Sequence, residues 1–150
     1  TPTPGPVVIY DDEHYFMGGA LAEQLARSGH AVTLVTPYPQ VSGWTVYTDE
    51  QGFIQDRLMS LGVTLVTQHM LSAQGTDYAR ITCATTGQPR DLACQSLILV
   101  TGRLPVDDLW HNLHTRPNTV RVGDCLQPGE PSANRRGHQV RPFVHLRERR

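Results

Sequence analysis

The sequence predicts an α/β fold built on a parallel sheet, and three observations carry that expectation. Between Val7 and Val35 an apolar run, a glycine-bearing turn, a helical stretch, a glycine stop and a second apolar run follow in order. A further helix-then-strand pattern extends to Val66, and Leu97-Ile98-Leu99-Val100 is apolar throughout. Continuous β-branched runs of this kind are what strands covered on both faces of a parallel sheet require.

Val7-Val8-Ile9-Tyr10 is the first expected strand. It is followed by Asp11-Asp12-Glu13 and a polar-aromatic turn that reaches Gly18-Gly19. From Ala20 to Ser28, Leu21, Ala22, Leu25 and Ala26 share one helical face, and Gly29 stands where a helix end needs a left-handed residue. Ala31 to Val35 is the second strand, completing a βαβ unit. A Pro/Gly/Ser-rich loop spans Pro37 to Thr45, after which Asp49 is the expected cap of a helix carrying Phe53, Ile54, Leu58 and Leu61 and stopping at Gly62. Val63 to Val66 is the third strand. Short alternating segments from Met70 to Cys94, with turns at Gln74-Gly75 and Thr86-Gly87, predict an antiparallel meander. Leu97 to Val100 returns to the parallel sheet, a helical turn covers Val106 to Leu113, and Val120-Arg121-Val122 is a last short strand.

Composition bounds the function. A chain of 150 residues suits one hydrophobic core. The expected organisation is a linker over 1–6, a domain over 7–125 and an irregular Arg/Pro-rich tail over 126–150, where no amphipathic period survives. A net charge of −1 supplies no field for nucleic acid. No apolar run approaches the roughly 20 residues that cross a bilayer, and no leader-like segment opens the sequence, so a soluble cytoplasmic chain is expected. Cys83, Cys94 and Cys125 lack metal-ligand spacing and read as small reduced side chains, with a Cys83–Cys94 bridge as the alternative. His111 and His114, with His138 and His145, read as surface residues rather than a metal set. Tyr15, Phe16, Trp44 and Tyr47 are expected to pack between turn and loop, with the lining of a groove or partner surface as the alternative.

This order of elements is that of a Rossmann-like, three-layer FAD/NAD(P)-binding-type fold, a parallel sheet with an antiparallel β-meander crossover. The segment LILVTGRLPVDDL (Leu97 to Leu109) resembles the strand and Thr-Gly by which the pyridine-nucleotide-type domain of two-dinucleotide-fold flavoproteins passes back to the flavin-type domain. VRVGDC (Val120 to Cys125) is similar to the strand and Gly-Asp that approach the flavin there. VVIYDDEHYFMGGALAEQLARSGHAVTLVTP (Val7 to Pro37) resembles the C-terminal region of the trimethylamine dehydrogenase family, which includes dimethylamine and histamine dehydrogenases and 2,4-dienoyl-CoA reductase relatives. The resemblance implies a parent enzyme with FMN and a 4Fe–4S cluster in a TIM barrel, a flavin-type domain that takes ADP or FAD, and an electron-transferring flavoprotein as partner. In trimethylamine dehydrogenase the present domain keeps the fold without using NAD(P)H.

The residues themselves point the same way. A dinucleotide fingerprint needs G-x-G-x-x-G, with glycines for the tight turn, the pyrophosphate approach and the helix–strand contact. Counting back from Gly29 places Gly18, followed by Gly19, at the third position and puts Glu13 and Tyr15 at the first two. A glutamate at a helix N-terminus takes the place an anion would use, and the acids as a group compensate the helix dipole. At the end of the second strand stands Thr36, neither the acid that ribose hydroxyls want nor a base for a 2′-phosphate. Thr101, Gly102, Gly123 and Asp124 complete the nucleotide-facing candidates by resemblance. No catalytic or metal residue is expected, and no cofactor for this chain alone. The favoured expectation is a structural, interdomain module; the alternatives are a genuine ADP or NAD(P)H site and a docking module for the electron-transferring flavoprotein.

Overall fold

The computed structural model describes residues 2–126 and 128. The chain divides into two units, Thr1–Gly102 and Arg103–Arg150.

In the first unit, β1 (Val7–Asp11), β2 (Val32–Val35), β3 (Thr64–Val66) and β7 (Ser96–Val100) form a parallel sheet in the order β3-β2-β1-β7. Ile9 lies opposite Leu34 on one side and Ile98 on the other. The meander β4 (His69–Gln74), β5 (Tyr78–Cys83) and β6 (Pro89–Ala93) forms a separate antiparallel sheet. Two apolar clusters hold the layers together. Val7, Ile9, Val32 and Leu34 face the helices α1 (Met17–Arg27) and α2 (Gln51–Ser60), meeting Ala22, Leu25, Ile54 and Leu58. Val8, Val35 and Val66 face the meander, meeting Ala79, Ile81 and Leu92. The strand side chains alternate between the two layers, so β1 needs apolar residues at every position. The result is the three-layer Rossmann-like arrangement that the sequence predicts.

Several details differ. The first helix begins at Met17, so Gly18 and Gly19 lie inside its first turn rather than before it. Asp49 does not cap α2; it takes a left-handed conformation (φ 59°) and closes a 3-10 turn over Gly43–Thr48, within what reads as the end of a loop. Glu50 occupies the cap position, but its carboxylate accepts from the Thr48 hydroxyl and not from the helix amides. The aromatics of the turn and loop are not core: Phe16, Trp44 and Tyr47 are 43%, 49% and 69% exposed.

In the second unit, α3 spans Asp108–Leu113. Arg121 donates to Asp107 Oδ2 at 2.6 Å and lies 5.3 Å from the Trp110 ring centroid, which ties the segment back to the helix. The expected strand at Val120–Val122 does not form; both valines are exposed and a 3-10 turn over Gly123–Cys125 follows. Three residues of alternation give too few ladder hydrogen bonds to fix a strand without a partner. The expected tail lies, but for Leu126 and Pro128, outside the described residues.

Candidate functional site

In a doubly wound sheet, ligands lie beyond the carboxyl ends of the strands. Here that edge is built from the turn after β1, the start of α1, the end of β2 and the loop that follows it. The turn runs from Asp12 to Phe16, and the Asp12 N–H bonds to the Val100 carbonyl, holding the ends of β1 and β7 together (3.0 Å).

Asp11, the last residue of β1, organises the turn. Its side chain is 1% exposed, and its Oδ1 accepts the N–H groups of Glu13 (3.0 Å) and His14 (3.1 Å). Its Oδ2 has no hydrogen-bond partner among the described residues. That oxygen faces the first turn of α1 at Gly18, where an added Cβ would collide with it and lie 2.6 Å from Asp11 Cγ. Burial pushes the Asp11 carboxyl above the usual carboxylate range, against the opposing pull of the His14 and Glu13 amides. The positive end of α1, which carries no side-chain cap and no acid in its first turn, offsets part of that cost. Thus the carboxyl set against the helix start is that of Asp11, where the sequence reading put Glu13. Glu13 itself is half-buried and lends its amide to the turn.

A raised carboxyl pKa fixes the sign of a pH effect. Above the ordinary aspartate value of about 3.9 the unfolded chain has released a proton that the folded chain still holds, so stability falls as pH rises through the folded value. Asparagine cannot titrate. The stability of Asp11→Asn relative to the parent is therefore expected to rise from about pH 4 towards neutrality. Urea denaturation across that range checks it, and a pH-independent difference would contradict the assignment.

His14 rather than a glycine takes the left-handed conformation in the turn (φ 64°), a region that histidine visits more readily than most side chains. Its carbonyl accepts the Trp44 N–H (2.9 Å), and its Nδ1 lies 3.3 Å from Thr36 Oγ1. Thr36 is buried at the end of β2 and its hydroxyl oxygen also accepts the Tyr38 N–H (3.2 Å). The Tyr38 ring packs on the His14 ring with centroids 4.9 Å apart and also lies against Gly43, where any Cβ would strike it. The end of β2 is therefore covered by the protein's own imidazole and phenol.

Of the sequence-derived candidates, Glu13, Tyr15, Gly18, Gly19 and Thr36 come together at this edge, with Tyr15 half-buried edge-on against Phe16. Gly19 lets α1 meet Ile54 and Ser42, which approach to 3.0 and 3.1 Å of a built Cβ. Thr101 and Gly102 follow directly on β7, partly buried and exposed respectively. Gly123, at φ 71°, and Asp124 belong to the other unit. Asp11, His14 and Tyr38 were not among the candidates. The available signal was an acid placed directly after an apolar run with a Gly-Gly pair beginning seven residues beyond it.

No grouping of three or more His, Cys, Asp or Glu suited to a metal occurs among the described residues. The three cysteines are free thiols, Cys94 buried and the other two half-buried, so the bridged alternative is not what the structure holds. No described helix is long and apolar enough to cross a membrane.

A parallel sheet with helices on one face, a meander on the other and a strand–turn–helix edge defines a dinucleotide-fold domain of the FAD/NAD(P)-binding type. Among solved structures, histamine dehydrogenase from Rhizobium sp. 4-9 is 37% identical, over 77% of this chain and 18% of its own, with a TM-score of 0.74. The 6-hydroxypseudooxynicotine amine oxidase of Pseudomonas geniculata N1 is 30% identical over 86% of this chain and 20% of its own, with a TM-score of 0.80. A 2-naphthoyl-CoA reductase, at 17% identity and a TM-score of 0.71 over 85% of this chain and 19% of its own, shares the fold. No family model matches the sequence. The chain belongs to the trimethylamine dehydrogenase-like oxidoreductases, and it spans about a fifth of the length of these relatives.

Proposed function

We propose that this chain is a dinucleotide-fold domain of an FMN/iron–sulfur oxidoreductase and that its contribution is structural and interdomain, with no nucleotide bound in its own turn. The observation that carries this reading is the filled edge. Asp11 holds the Glu13 and His14 amides of the turn and lies against Gly18, and His14 with Tyr38 covers Thr36 where a ribose would lie. The residues present therefore do not fit NAD(P)H or ADP, and no step of a reaction is routed through them. By resemblance, FMN and the 4Fe–4S cluster belong to a TIM barrel, and the barrel and the flavin-type domain are the partners of this chain. The exposed aromatics Phe16, Trp44, Tyr47 and Phe53 supply apolar surface of the kind that interdomain contacts use.

Calorimetric titration of the chain with NADH, NADPH and ADP tests the proposal. No saturable heat is expected up to about 1 mM, equivalent to a free energy weaker than about −4 kcal/mol. Sub-millimolar binding of any of the three defeats it.

A further inference from the structure

We infer that the 3-10 turn Gly43–Thr48 and the start of α2 form a docking platform for an arginine-bearing surface of another domain of the parent enzyme; the inference rests on the interdomain role proposed above and names the chemistry of the partner. The turn is built inside out. With about three residues per turn, a 3-10 segment sets Trp44 and Tyr47 on one face and Thr45 and Thr48 on another. Thr45 is the side chain turned inward: it is fully buried, and its hydroxyl donates to the Ser42 carbonyl at 2.7 Å. Trp44, Val46 and Tyr47 are exposed, as is Phe53 in the first turn of α2. A loop with no partner would reverse that choice, burying the aromatics and exposing the threonine.

The arrangement is held at a cost. Ser42 and Asp49, which bracket the turn, take left-handed conformations without being glycine, and so does His14, whose carbonyl accepts the Trp44 N–H. Backbone of that kind persists only where its surroundings fix it, and here it fixes how the aromatics are presented. Aromatics held in this way have little freedom left to lose on binding.

Charge selects the partner. No Arg or Lys occurs from Ala31 to Asp56, whereas Asp49, Glu50 and Asp56 are exposed in the same segment as the aromatics. None of the three forms an ion pair among the described residues, and Arg57, the next base in sequence, is paired with Glu23. Arginine answers both halves of this surface, because a planar guanidinium stacks on aromatic rings and pairs with carboxylates, whereas lysine stacks less well. The chain spans about a fifth of the length of its relatives, so the partner is assigned to the rest of the parent enzyme.

The test uses the full 150-residue chain with Trp110→Phe, which leaves Trp44 as the only tryptophan, titrated at low salt with hexa-arginine amide and hexa-lysine amide. Saturable changes in Trp44 emission are expected, with the arginine peptide bound at least about threefold more tightly than the lysine peptide. Asp49→Asn with Glu50→Gln should weaken the arginine peptide at least about threefold, while Asp77→Asn, an acid in the β4–β5 turn, should leave it unchanged. Tyr47→Ser, at a 69% exposed position where folding is not at stake, should erase the preference for arginine. Equal binding of the two peptides, or binding indifferent to these substitutions, overturns the platform. A chain that dimerises in sedimentation velocity, and is made monomeric by Tyr47→Ser, makes the occupant a second copy and overturns the assignment to another domain. Neither result touches the absence of nucleotide binding, which the titrations with NADH, NADPH and ADP read separately.

Discussion

Gly18→Ala is expected to destabilise the first unit by about 2–3 kcal/mol, the upper part of the usual range for overpacking a filled site. In an ordinary helix the same change would help, because alanine is favoured over glycine by about 1 kcal/mol. At Gly18 the new methyl meets the Asp11 carboxyl, which cannot step aside: it is buried, and two turn amides hold it in place. Gly52, in the first turn of α2, has nothing within 4 Å of a built Cβ, and Gly52→Ala should stabilise by up to about 1 kcal/mol. Opposite signs for one substitution in two helices of one unit isolate the contact from propensity. At about 4 °C per kcal/mol the Gly18 variant should melt roughly 10 °C lower. A double-mutant cycle completes the case. In an Asp11→Gly background the clash has no partner, so Gly18→Ala should cost little there, and an undiminished cost would place the steric conflict elsewhere.

The same pair of residues shows where the sequence is readable and where it is not. The fold follows from periodicity, because each strand of the parallel sheet must present apolar groups to two layers, and Val7-Val8-Ile9 does so without interruption. The glycine stops at Gly29 and Gly62 are legible for the same reason, since both need positive φ and both have it. The filled site is legible only in outline. The missing glycines say that the turn is not an ordinary fingerprint, but Asp11-Asp12-Glu13 presents three acids in a row, and nothing in their order says which one turns inward. Strand alternation decides it: Asp11 continues the set of Val7 and Ile9 that faces α1, whereas Tyr10 faces the meander. The His14–Tyr38–Gly43 stack was hidden because it joins residues from separate turns across β2. The exposure of Trp44 and Tyr47 favours the alternative of a surface role over packing between turn and loop, a choice that residue type alone does not make.

Ile9→Ala should cause the largest loss of all, about 3–4 kcal/mol, because it removes a fully buried side chain from the middle of the sheet. Ile9 sits between Leu34 of β2 and Ile98 of β7, beneath a helix layer that Ala22 and Leu58 bring close. Both flanking strands are hydrogen-bonded in parallel and cannot slide inward to fill the gap without breaking register, so the cavity stays open. Leu99→Ala, one residue beyond Ile98, is the matched control. Although the run Leu97 to Val100 reads as uniformly buried, β7 is an edge strand of the described sheet and Leu99 is 56% exposed, so its truncation should cost under about 1 kcal/mol in this chain. Thermal or urea denaturation gives both values. Two equal losses would mean that Leu99 is covered in solution, contrary to its exposure at the edge of β7.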